Sequence, residues 1–407
     1  MSSLFDVSKI IEAHKQLAKL NIRKTDLIRS ATFSDVTKSD IYLKLECLQK
    51  TGSFKVRGAM LKITNLSDDL KKQGVIAASA GNHAQAVAFA SSIQNISSII
   101  VMPKNASPSK ILATRSYGAK VILEGNNYDE SAEYVEDYAK KENKTVIPAF
   151  DDPEIIAGQG TIGLEIVEEL ADVDEIYVPV GGGGLISGIA MAVKSSHPKV
   201  KIIGVESTAF PTMRESIKKK KILKLSTGHT IADGISIKTP SNLTFELVKK
   251  YVDEIVLVDD QSIVKTMFLL MERSKIVAEA AGAASLAYLI SSPKPRRKDK
   301  KVVSIVSGGN VDMYLLGQIV SKGLMQTGRL LKIFVDLPDK PGALKKIVDE
   351  ITKANINIVE VEHDRLSTNV PAGTAGVYLS LELENREKSK TLIDLFKKEK
   401  IAFNILK

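Results

Sequence analysis

Cysteine, tryptophan and long apolar runs are scarce or absent in this chain. Its single cysteine, Cys47, excludes an internal disulfide and a cysteine-based zinc site, and its apolar surroundings indicate a core residue rather than a nucleophile. No apolar run reaches the roughly 18 residues that a membrane helix needs. The first residues also lack the basic and apolar segments of a signal peptide. We therefore expect a cytoplasmic protein with no membrane partner.

A basic excess raises the question of a nucleic-acid partner. The chain has 57 lysines and arginines against 48 acidic residues, a formal charge of +9. The excess lies in two short runs, 218–221 and 294–301, without aromatic residues between the cations. The platforms on which bases stack are therefore lacking. We predict solvated loop or helix-end charge and no nucleic-acid partner.

The length and the order of apolar segments predict more than one domain. A chain of 407 residues is too long to fold around one hydrophobic core of ordinary size. Up to about residue 325, short apolar strands alternate with helical segments, which predicts an α/β fold with mostly parallel sheets. Beyond it the predicted order is βαββαβ, that of a ferredoxin-like domain. We predict domains over 1–325 and 331–407, joined by a linker over 326–330.

Lys55 follows a Gly-Ser turn and precedes a helical segment. A lysine amine becomes a nucleophile only when it loses its proton. The apolar neighbour Phe54 and the cationic neighbour Arg57 both favour that loss. Taken alone, Lys55 is more simply a solvated surface charge, so its assignment depends on the loops elsewhere in the chain.

Four consecutive glycines, 181–184, lie between a buried strand and a helix. Without side chains, main-chain N–H groups can close on an anion, and the field at a helix N-terminus favours negative charge. We predict a bound phosphate. The run is neither a dinucleotide fingerprint, because Ser187 occupies the third glycine position counted from Gly182, nor a P-loop, because no Gly-Lys-Ser/Thr follows. A tight turn alone would need only one or two glycines.

Two further loops follow buried strands. The segment Ser79-Ala80-Gly81-Asn82-His83 offers groups suited to a carboxylate or a phenolic oxygen, although Ser and Asn are also ordinary helix caps. His83 alone is more simply a hydrogen-bonded structural histidine. Ser307, in Ser307-Gly308-Gly309-Asn310, can hydrogen bond with a ring nitrogen without holding it protonated, or can belong to a simple turn. A nucleophilic lysine, a phosphate cradle and a neutral ring partner together predict a pyridoxal 5′-phosphate site.

These motifs resemble those of the threonine/serine dehydratases (threonine ammonia-lyases) of the β-family of pyridoxal-phosphate-dependent enzymes. The matching segments occur in the family's order: 52–59, 79–85, 181–185, 232–235 and 307–310. The tail, which contains residues 337–344, is similar to an ACT regulatory domain. The resemblance implies fold type II, with two open, mostly parallel sheets, helices on both faces and a smaller subdomain over roughly 47–150 inserted in the larger one.

The resemblance also implies a role for each loop residue. Lys55 binds the cofactor covalently, Phe54 packs on its ring and Ser307 faces the ring nitrogen, so that Lys55 and Ser307 are the implied catalytic residues. The implied phosphate cradle consists of Gly181, Gly182, Gly183, Gly184 and Leu185. The implied substrate-binding loop consists of Ser79, Ala80, Gly81, Asn82 and His83. Asn82 also binds the phenolic oxygen of the cofactor.

The activity implied is β-elimination of L-threonine, and of L-serine, to 2-oxobutanoate or pyruvate and ammonia, with Lys55 taking the Cα proton. Three alternatives remain open: a serine racemase, a β-replacement synthase, and a non-enzymatic ligand-sensing protein. Racemases of this family carry a second serine at the position of Ala80, which disfavours racemisation. The sequence does not rank threonine against serine, nor a biosynthetic against a catabolic role.

Three expectations concern other ligands and assembly. No metal is expected, because Phe210 and Thr212 follow Glu206 where some relatives have an acidic partner. An amino-acid effector is expected at the first strand–helix junction of the ACT-like tail, at Pro341, Gly342 and Ala343, although a dimerisation or stability module is the alternative. A homodimer or homotetramer is implied.

Overall fold

The computed structural model describes residues 6–225, 228–292, 299–367 and 370–406, which form two compact units, Met1–Asp312 and Met313–Lys407. The strands are β1 (Leu27–Arg29), β2 (Asp40–Lys44), β3 (Val75–Ala78), β4 (Ser98–Met102), β5 (Lys120–Leu123), β6 (Thr145–Val146), β7 (Glu175–Pro179), β8 (Lys201–Ser207), β9 (Glu254–Val258), β10 (Lys301–Ile305), β11 (Leu330–Pro338), β12 (Asn357–Asp364), β13 (Thr374–Glu382) and β14 (Phe403–Leu406).

The helices are α1 (Val7–Lys19), α2 (Ala31–Thr37), α3 (Lys55–Thr64), α4 (Asp68–Gln73), α5 (Asn82–Ile93), α6 (Pro108–Ser116), α7 (Tyr128–Glu142), α8 (Pro153–Glu169), α9 (Gly184–Ser196), α10 (Thr212–Lys219), α11 (Asn242–Tyr251), α12 (Asp260–Leu269), α13 (Ala280–Ser291), α14 (Met313–Thr327), α15 (Ala343–Lys353) and α16 (Arg386–Lys398). Short 3₁₀ turns cover Glu46–Leu48, Lys50–Gly52 and Asp233–Ile235, and a π-helical turn covers Leu270–Ser274. None of the helices in the described ranges combines the length and the apolar character that a bilayer-spanning segment requires.

The larger sheet of the first unit has the strand order β1-β2-β10-β7-β8-β9. Its interior strands pair in parallel, and β1 joins the edge antiparallel to β2. The central strands read as short apolar runs because helices cover both faces of such a sheet. Helices α8 and α9 pack backbone to backbone, since a Cβ on Gly188 would lie 2.4 Å from the carbonyl oxygen of Ile156. This contact fixes the N-terminus of α9, where the four-glycine loop ends.

A second, wholly parallel sheet with the order β5-β4-β3-β6 lies between β2 and β7 in the sequence. The chain therefore leaves the larger sheet after β2, builds a smaller subdomain and returns to the larger sheet at β7. Fold type II consists of two mostly parallel sheets, with the smaller subdomain inserted in the sequence of the larger one. The predicted fold class is therefore confirmed.

A buried group of charges anchors α3, the helix that begins at Lys55. Arg57 donates to Glu46, with Nη2 2.8 Å from Oε1, and to Glu165, with Nη1 2.6 Å from Oε1. Lys44 lies 2.7 Å from the other oxygen of Glu165. All four side chains are at most 3% exposed. The 3₁₀ turn after β2, α3 and α8 are thereby held together beneath the first turn of α3.

The second unit begins with α14 and continues as β11-α15-β12-β13-α16-β14, with an antiparallel sheet of order β12-β13-β11-β14. This is the predicted ferredoxin-like arrangement. Alternate residues of β11, Ile333 and Val335, bury against Ile351 and Phe396 of the two helices.

The boundary between the two units differs from the sequence prediction. The predicted linker at 326–330 and the predicted boundary at 325 lie within the second unit, since α14 continues to Thr327 and β11 begins at Leu330. Gly328, at φ +74°, ends the helix. The glycines of α14 resemble a linker in sequence, but they are accommodated inside a helix.

Candidate active site

A cavity of about 440 Å³ in the first unit receives the loops that follow β3, β7 and β10. Ligands bind beyond the carboxyl ends of parallel strands in such sheets. The cavity is lined by every residue that the sequence assigned to catalysis, cofactor or substrate: Phe54, Lys55, Ser79, Ala80, Gly81, Asn82, His83, Gly181, Gly182, Gly183, Gly184, Leu185 and Ser307. The residues assigned to an effector belong to the second unit: Pro341 and Gly342 lie between β11 and α15, and Ala343 begins α15.

Backbone pairing brings Lys55 beside the loop after β10. Ser53 forms an isolated antiparallel bridge with Gly308, and the Phe54 amide donates to the Ser307 carbonyl at 3.1 Å. The Lys55 Nζ donates to the Ala149 carbonyl at 2.7 Å. Burial lowers the pKa of Lys55 to about 8, against the opposing charge of Glu279. A lysine with this pKa is partly neutral near physiological pH, as a nucleophile must be.

The predicted influence of Arg57 on Lys55 is wrong. The Arg57 guanidinium points into the buried group with Glu46 and Glu165, which raise its pKa against the effect of burial. The pKa of Lys55 is lowered by burial, and its charged neighbour is Glu279. Residues two apart on a helix do not face each other. Phe54 does contact the amine, since its ring centroid lies 5.2 Å from Lys55 Nζ.

The four-glycine loop is too closely packed to accept side chains. A Cβ on Gly182 would lie 2.3 Å from the ring of Phe150, and one on Gly181 would lie 3.0 Å from the Gly234 carbonyl oxygen. Gly183 has φ +89°, in the left-handed region, and α9 begins at the next residue. The first N–H groups of a helix have no acceptor within the helix. These amides and the helix dipole give the loop the chemistry that a phosphate site needs.

The loop after β3 presents its polar groups at the start of α5. The Gly81 amide donates to Ser79 Oγ at 3.1 Å. The His83 ring bonds through Nε2 with the Ile147 carbonyl oxygen at 2.8 Å, and burial lowers the pKa of His83 to about 3. His83 is therefore neutral and held by the backbone at physiological pH.

Asn82 is fixed from both ends of its amide. Its Nδ2 donates to Glu279 Oε1 at 2.6 Å, and its Oδ1 accepts from Asn310 Nδ2 at 2.7 Å. Asn310 Nδ2 also donates to the Thr51 carbonyl at 2.7 Å. Burial, with the nearby charge of Asp233, raises the pKa of Glu279 to about 7. Among the described residues, Asn82 Nδ2 donates to Glu279 alone, so its second hydrogen is available to a ligand.

Ser307 is 3% exposed and lines the cavity directly after β10. Its carbonyl accepts from the Phe54 amide. A hydroxyl is neutral and can donate or accept. It is suited to a ring nitrogen that is to remain unprotonated.

The Glu206 carboxylate is occupied by backbone amides. Its two oxygens accept from the Met213 amide at 2.8 Å and the Arg214 amide at 2.9 Å, at the start of α10. Burial raises the pKa of Glu206 to about 7. In the part of the chain that the structure describes, no cluster of three His, Cys, Asp or Glu side chains could hold a metal ion.

Several cavity residues escaped the sequence-based prediction. They include Lys110, Tyr128, Asp129, Ala149, Phe150, Gln159, Asp233, Lys238, Thr239, Glu279 and Ala281. One of them had a visible signal, because Glu279 is the sole charged residue between Lys275 and Lys294. An acid isolated in such an apolar stretch is buried or functional. Asp233 lies in the segment 232–235, to which the sequence assigned no role in the site. The others lie in helices, such as Lys110 in α6 and Gln159 in α8, or in loops, and no distinctive sequence pattern marks them.

The residues present fit pyridoxal 5′-phosphate. The glycine loop leaves a space that side chains would fill, Lys55 offers a buried amine, and Ser307 offers a hydroxyl-bearing side chain at the cavity wall. Gln159 lines the same cavity, and its buried Nε2 lacks a partner among the described residues. Buried polar atoms normally have partners, so an orphaned donor at a cavity wall indicates a polar ligand.

Comparisons with known proteins agree with this fit. A family model described as "Pyridoxal-phosphate dependent enzyme" matches residues 18–308. The L-threonine ammonia-lyase of Thermotoga maritima is 46% identical over 379 residues, covering 93% of this chain and 94% of that protein. The catabolic L-threonine dehydratase of Escherichia coli strain K12 is 46% identical, covering 77% of this chain and 95% of that protein.

Solved structures similar to this chain include a serine racemase and a threonine deaminase. Maize serine racemase superposes with a TM-score of 0.74 at 34% identity, covering 79% of this chain and 98% of that one. The processed threonine deaminase isoform 2 of Solanum lycopersicum gives 0.73 at 34% identity, covering 77% and 92%. The prediction from the loop motifs is confirmed: the chain belongs to the family of pyridoxal-phosphate-dependent enzymes, uses pyridoxal 5′-phosphate and is a lyase of the threonine ammonia-lyase type.

Proposed function

We propose that the protein is a threonine ammonia-lyase that converts L-threonine to 2-oxobutanoate and ammonia, and L-serine to pyruvate and ammonia. The observation that carries the proposal is the buried Lys55 amine, which lines the same cavity as the four-glycine cradle. The names of the relatives from Thermotoga maritima and Escherichia coli support threonine as the substrate. Serine differs by one methyl group, which a pocket discriminates by only about 1–3 kcal/mol.

Bound pyridoxal 5′-phosphate acts as an electron sink that makes the Cα proton of an attached amino acid acidic. The residues that would hold it are the glycine cradle with Leu185 for the phosphate, Asn82 for the phenolic oxygen and Ser307 for the ring nitrogen. Phe54 supplies an aromatic face beside Lys55.

Lys55 is suited to accept the Cα proton. One of its N–H groups donates to the Ala149 carbonyl, which leaves the lone pair of the neutral amine for a proton. Burial favours this neutral form by lowering the pKa to about 8. A general base works best when its pKa lies near the working pH.

The substrate carboxylate is assigned to the start of α5. Ser79 and Asn82 line the cavity there, and helix N-terminal amides favour an anion. Neutral His83 supplies no charge of its own. Ala80 faces the same cavity with a methyl group, which cannot protonate a substrate carbon. Elimination is therefore favoured over racemisation, although serine racemases are among the similar structures.

The second unit is proposed to be an ACT-type effector domain in a homodimer or homotetramer. It has the ferredoxin-like order, and the Thermotoga maritima relative aligns with 379 residues, more than the 312 of the first unit. Gly342 has φ +87° at the start of α15, and nothing lies within 4 Å of a Cβ built there. The space beside Gly342 is therefore open, and the effector is assigned to Pro341, Gly342 and Ala343.

The proposed regulation by an effector is tested by comparing turnover with and without each of the common amino acids. A Gly342→Ala variant, whose φ resists a side chain, should lose the response while keeping basal turnover. No response to any amino acid would reject the effector proposal and leave the elimination chemistry in place.

The activity is tested by incubating cofactor-loaded protein with L-threonine and measuring 2-oxobutanoate. Release of 2-oxobutanoate, a visible absorbance that borohydride removes, and cofactor mass on the Lys55 peptide are expected. Lys55→Ala should abolish turnover and keep the fold, whereas Lys72→Ala, at a side chain 80% exposed, is the control. D-Serine formed from L-serine, without keto acid, would instead identify a racemase.

A further inference from the structure

Glu279 is a buried acid within the cavity to which the proposed function assigns no role. It directly precedes α13, and its amide donates to the Gly308 carbonyl at 3.0 Å. Its side chain is 7% exposed and accepts from Asn82 Nδ2 at 2.6 Å. Burying a carboxylate is costly unless it is hydrogen-bonded and paired with a charge, and such groups cluster at functional sites. The residue is therefore a candidate for a part in the chemistry of the cavity.

The space around Glu279 is kept free by glycines. A Cβ on Gly308 would lie 2.3 Å from Glu279 Oε1 and 3.2 Å from Asn82 Nδ2. A Cβ on Gly52 would lie 2.4 Å from Asn310 Oδ1. Side chains at either position would therefore break the sequence of hydrogen bonds from Asn310 through Asn82 to Glu279.

The direction of these hydrogen bonds follows from their chemistry. Asn310 Nδ2 can only donate, so the Asn82 atom that it meets is the carbonyl oxygen. A carboxylate oxygen without a proton can only accept, so Glu279 faces the Asn82 amino group. The two contacts fix the amide orientation and leave one N–H of Asn82 without a partner among the described residues.

We propose that Glu279 is a positioning residue, which orients the Asn82 amide so that its remaining N–H donates to the oxygen of the bound cofactor. The inference rests on the role proposed for Asn82. Glu279 also acts on Lys55 electrostatically, because its carboxylate favours the protonated Lys55 amine.

The charges that face Glu279 come from three other elements. Lys55 belongs to α3, Lys110 to α6 and Asp233 to a 3₁₀ turn. Asp233 raises the pKa of Glu279, in addition to burial, while Asn82, Lys110 and Lys55 lower it. Because Glu279 and Lys55 interact, their titrations are coupled and appear as properties of the pair.

The test measures cofactor binding, independently of turnover. Apoprotein is titrated with pyridoxal 5′-phosphate, and the affinity and the pH midpoint of absorbance are recorded for wild type, E279A, E279Q and N310A. Losing a hydrogen bond to a charged group should weaken cofactor binding of E279A by about tenfold to a hundredfold. E279Q retains an acceptor, so it should bind more tightly than E279A and titrate at a lower pH than wild type.

A double variant separates positioning from a general structural effect. If Glu279 and Asn310 act through Asn82, the double variant E279A/N310A should lose less binding free energy than the two single variants lose together. The control is E168Q, at an exposed glutamate outside the cavity that pairs with Lys24, and it should bind cofactor as wild type does.

Two results would overturn the inference: wild-type affinity in E279A, or an unchanged pH midpoint in E279Q. Circular dichroism shows whether E279A folds. If E279A does not fold, the pH midpoint of absorbance of the isosteric variant E279Q tests the inference instead. Failure of wild-type protein to release 2-oxobutanoate would reject the proposed activity, but it would not change these binding results.

Discussion

Lys238 Nζ donates to Asp129 Oδ2 at 2.9 Å and so joins the loop before α11 to helix α7 of the inserted subdomain. A second pair, Lys110 Nζ and Asp233 Oδ2 at 2.7 Å, joins α6 to the same loop. All four residues line the cavity. The two subdomains of the first unit are thus connected by two partly exposed ion pairs beside the cavity.

We expect Lys238→Ala to raise KM for threonine by less than about fivefold at low salt, because a partly exposed pair contributes about 0.2–1 kcal/mol. Salt screens such pairs, so the difference should disappear at high ionic strength. Steady-state kinetics of Lys238→Ala, Asp129→Ala and the double variant measure the coupling. Fully additive effects that persist in high salt would contradict it.

The rate at which apoprotein takes up cofactor should rise with pH through about 8. The amine that attacks the cofactor aldehyde must be neutral, and burial lowers the pKa of Lys55 to about 8 from its usual 10.5. Since the folded pKa is depressed, the reactive fraction grows as pH rises and levels off above 8. Stopped-flow absorbance across pH measures the midpoint. A rate that continues to rise towards pH 10 would indicate a solvated amine.

Gly182→Ala should weaken cofactor binding, because the added Cβ would lie 2.3 Å from the Phe150 ring. Overpacking of this kind costs about 1–3 kcal/mol, and here either the Phe150 ring or the glycine loop proposed to hold the phosphate must shift. The control is Gly317→Ala in α14, where a Cβ meets nothing within 4 Å. Absorbance titration and thermal unfolding test both variants. Equal cofactor affinity in the two would show that the glycine loop tolerates a side chain.

Arg57→Met should lower the free energy of unfolding of the first unit by about 3–5 kcal/mol, the usual effect of removing one partner of a buried pair. Glu46 would lose its arginine partner, and Lys44 alone would remain beside Glu165. Urea unfolding followed by circular dichroism measures the change. The exposed Arg29→Met, which removes a pair with Asp40, should cost less than about 1 kcal/mol. Similar losses in both variants would contradict the buried network.

Much of the site follows from sequence because its loops have local signatures. Four glycines between a strand and a helix exceed what a turn requires, and a Ser-Gly-Gly-Asn segment directly follows another apolar strand. The structure places these loops with Lys55 around one cavity, because the carboxyl ends of parallel strands share an edge.

The remainder of the site depends on tertiary structure. Sequence proximity suggested that Arg57 acts on Lys55, but the helix turns Arg57 towards Glu46 and Glu165. Glu279 acts on Lys55 from more than two hundred residues away. Phe150 has no pattern of its own, and its place against Gly182 appears only when α8 and α9 pack. Contacts of this kind leave no periodic trace in one sequence.

The pairing of β2 with β10 has a consequence for biosynthesis. Ile41 lies opposite Val302. Strand β2 therefore cannot pair with β10 until the ribosome has synthesised nearly all of the first unit. Such distant pairings form slowly, and chains with unpaired strands are prone to aggregate. The nascent chain therefore spends most of its synthesis with an incomplete sheet, and chaperone demand should fall only after β10 has emerged.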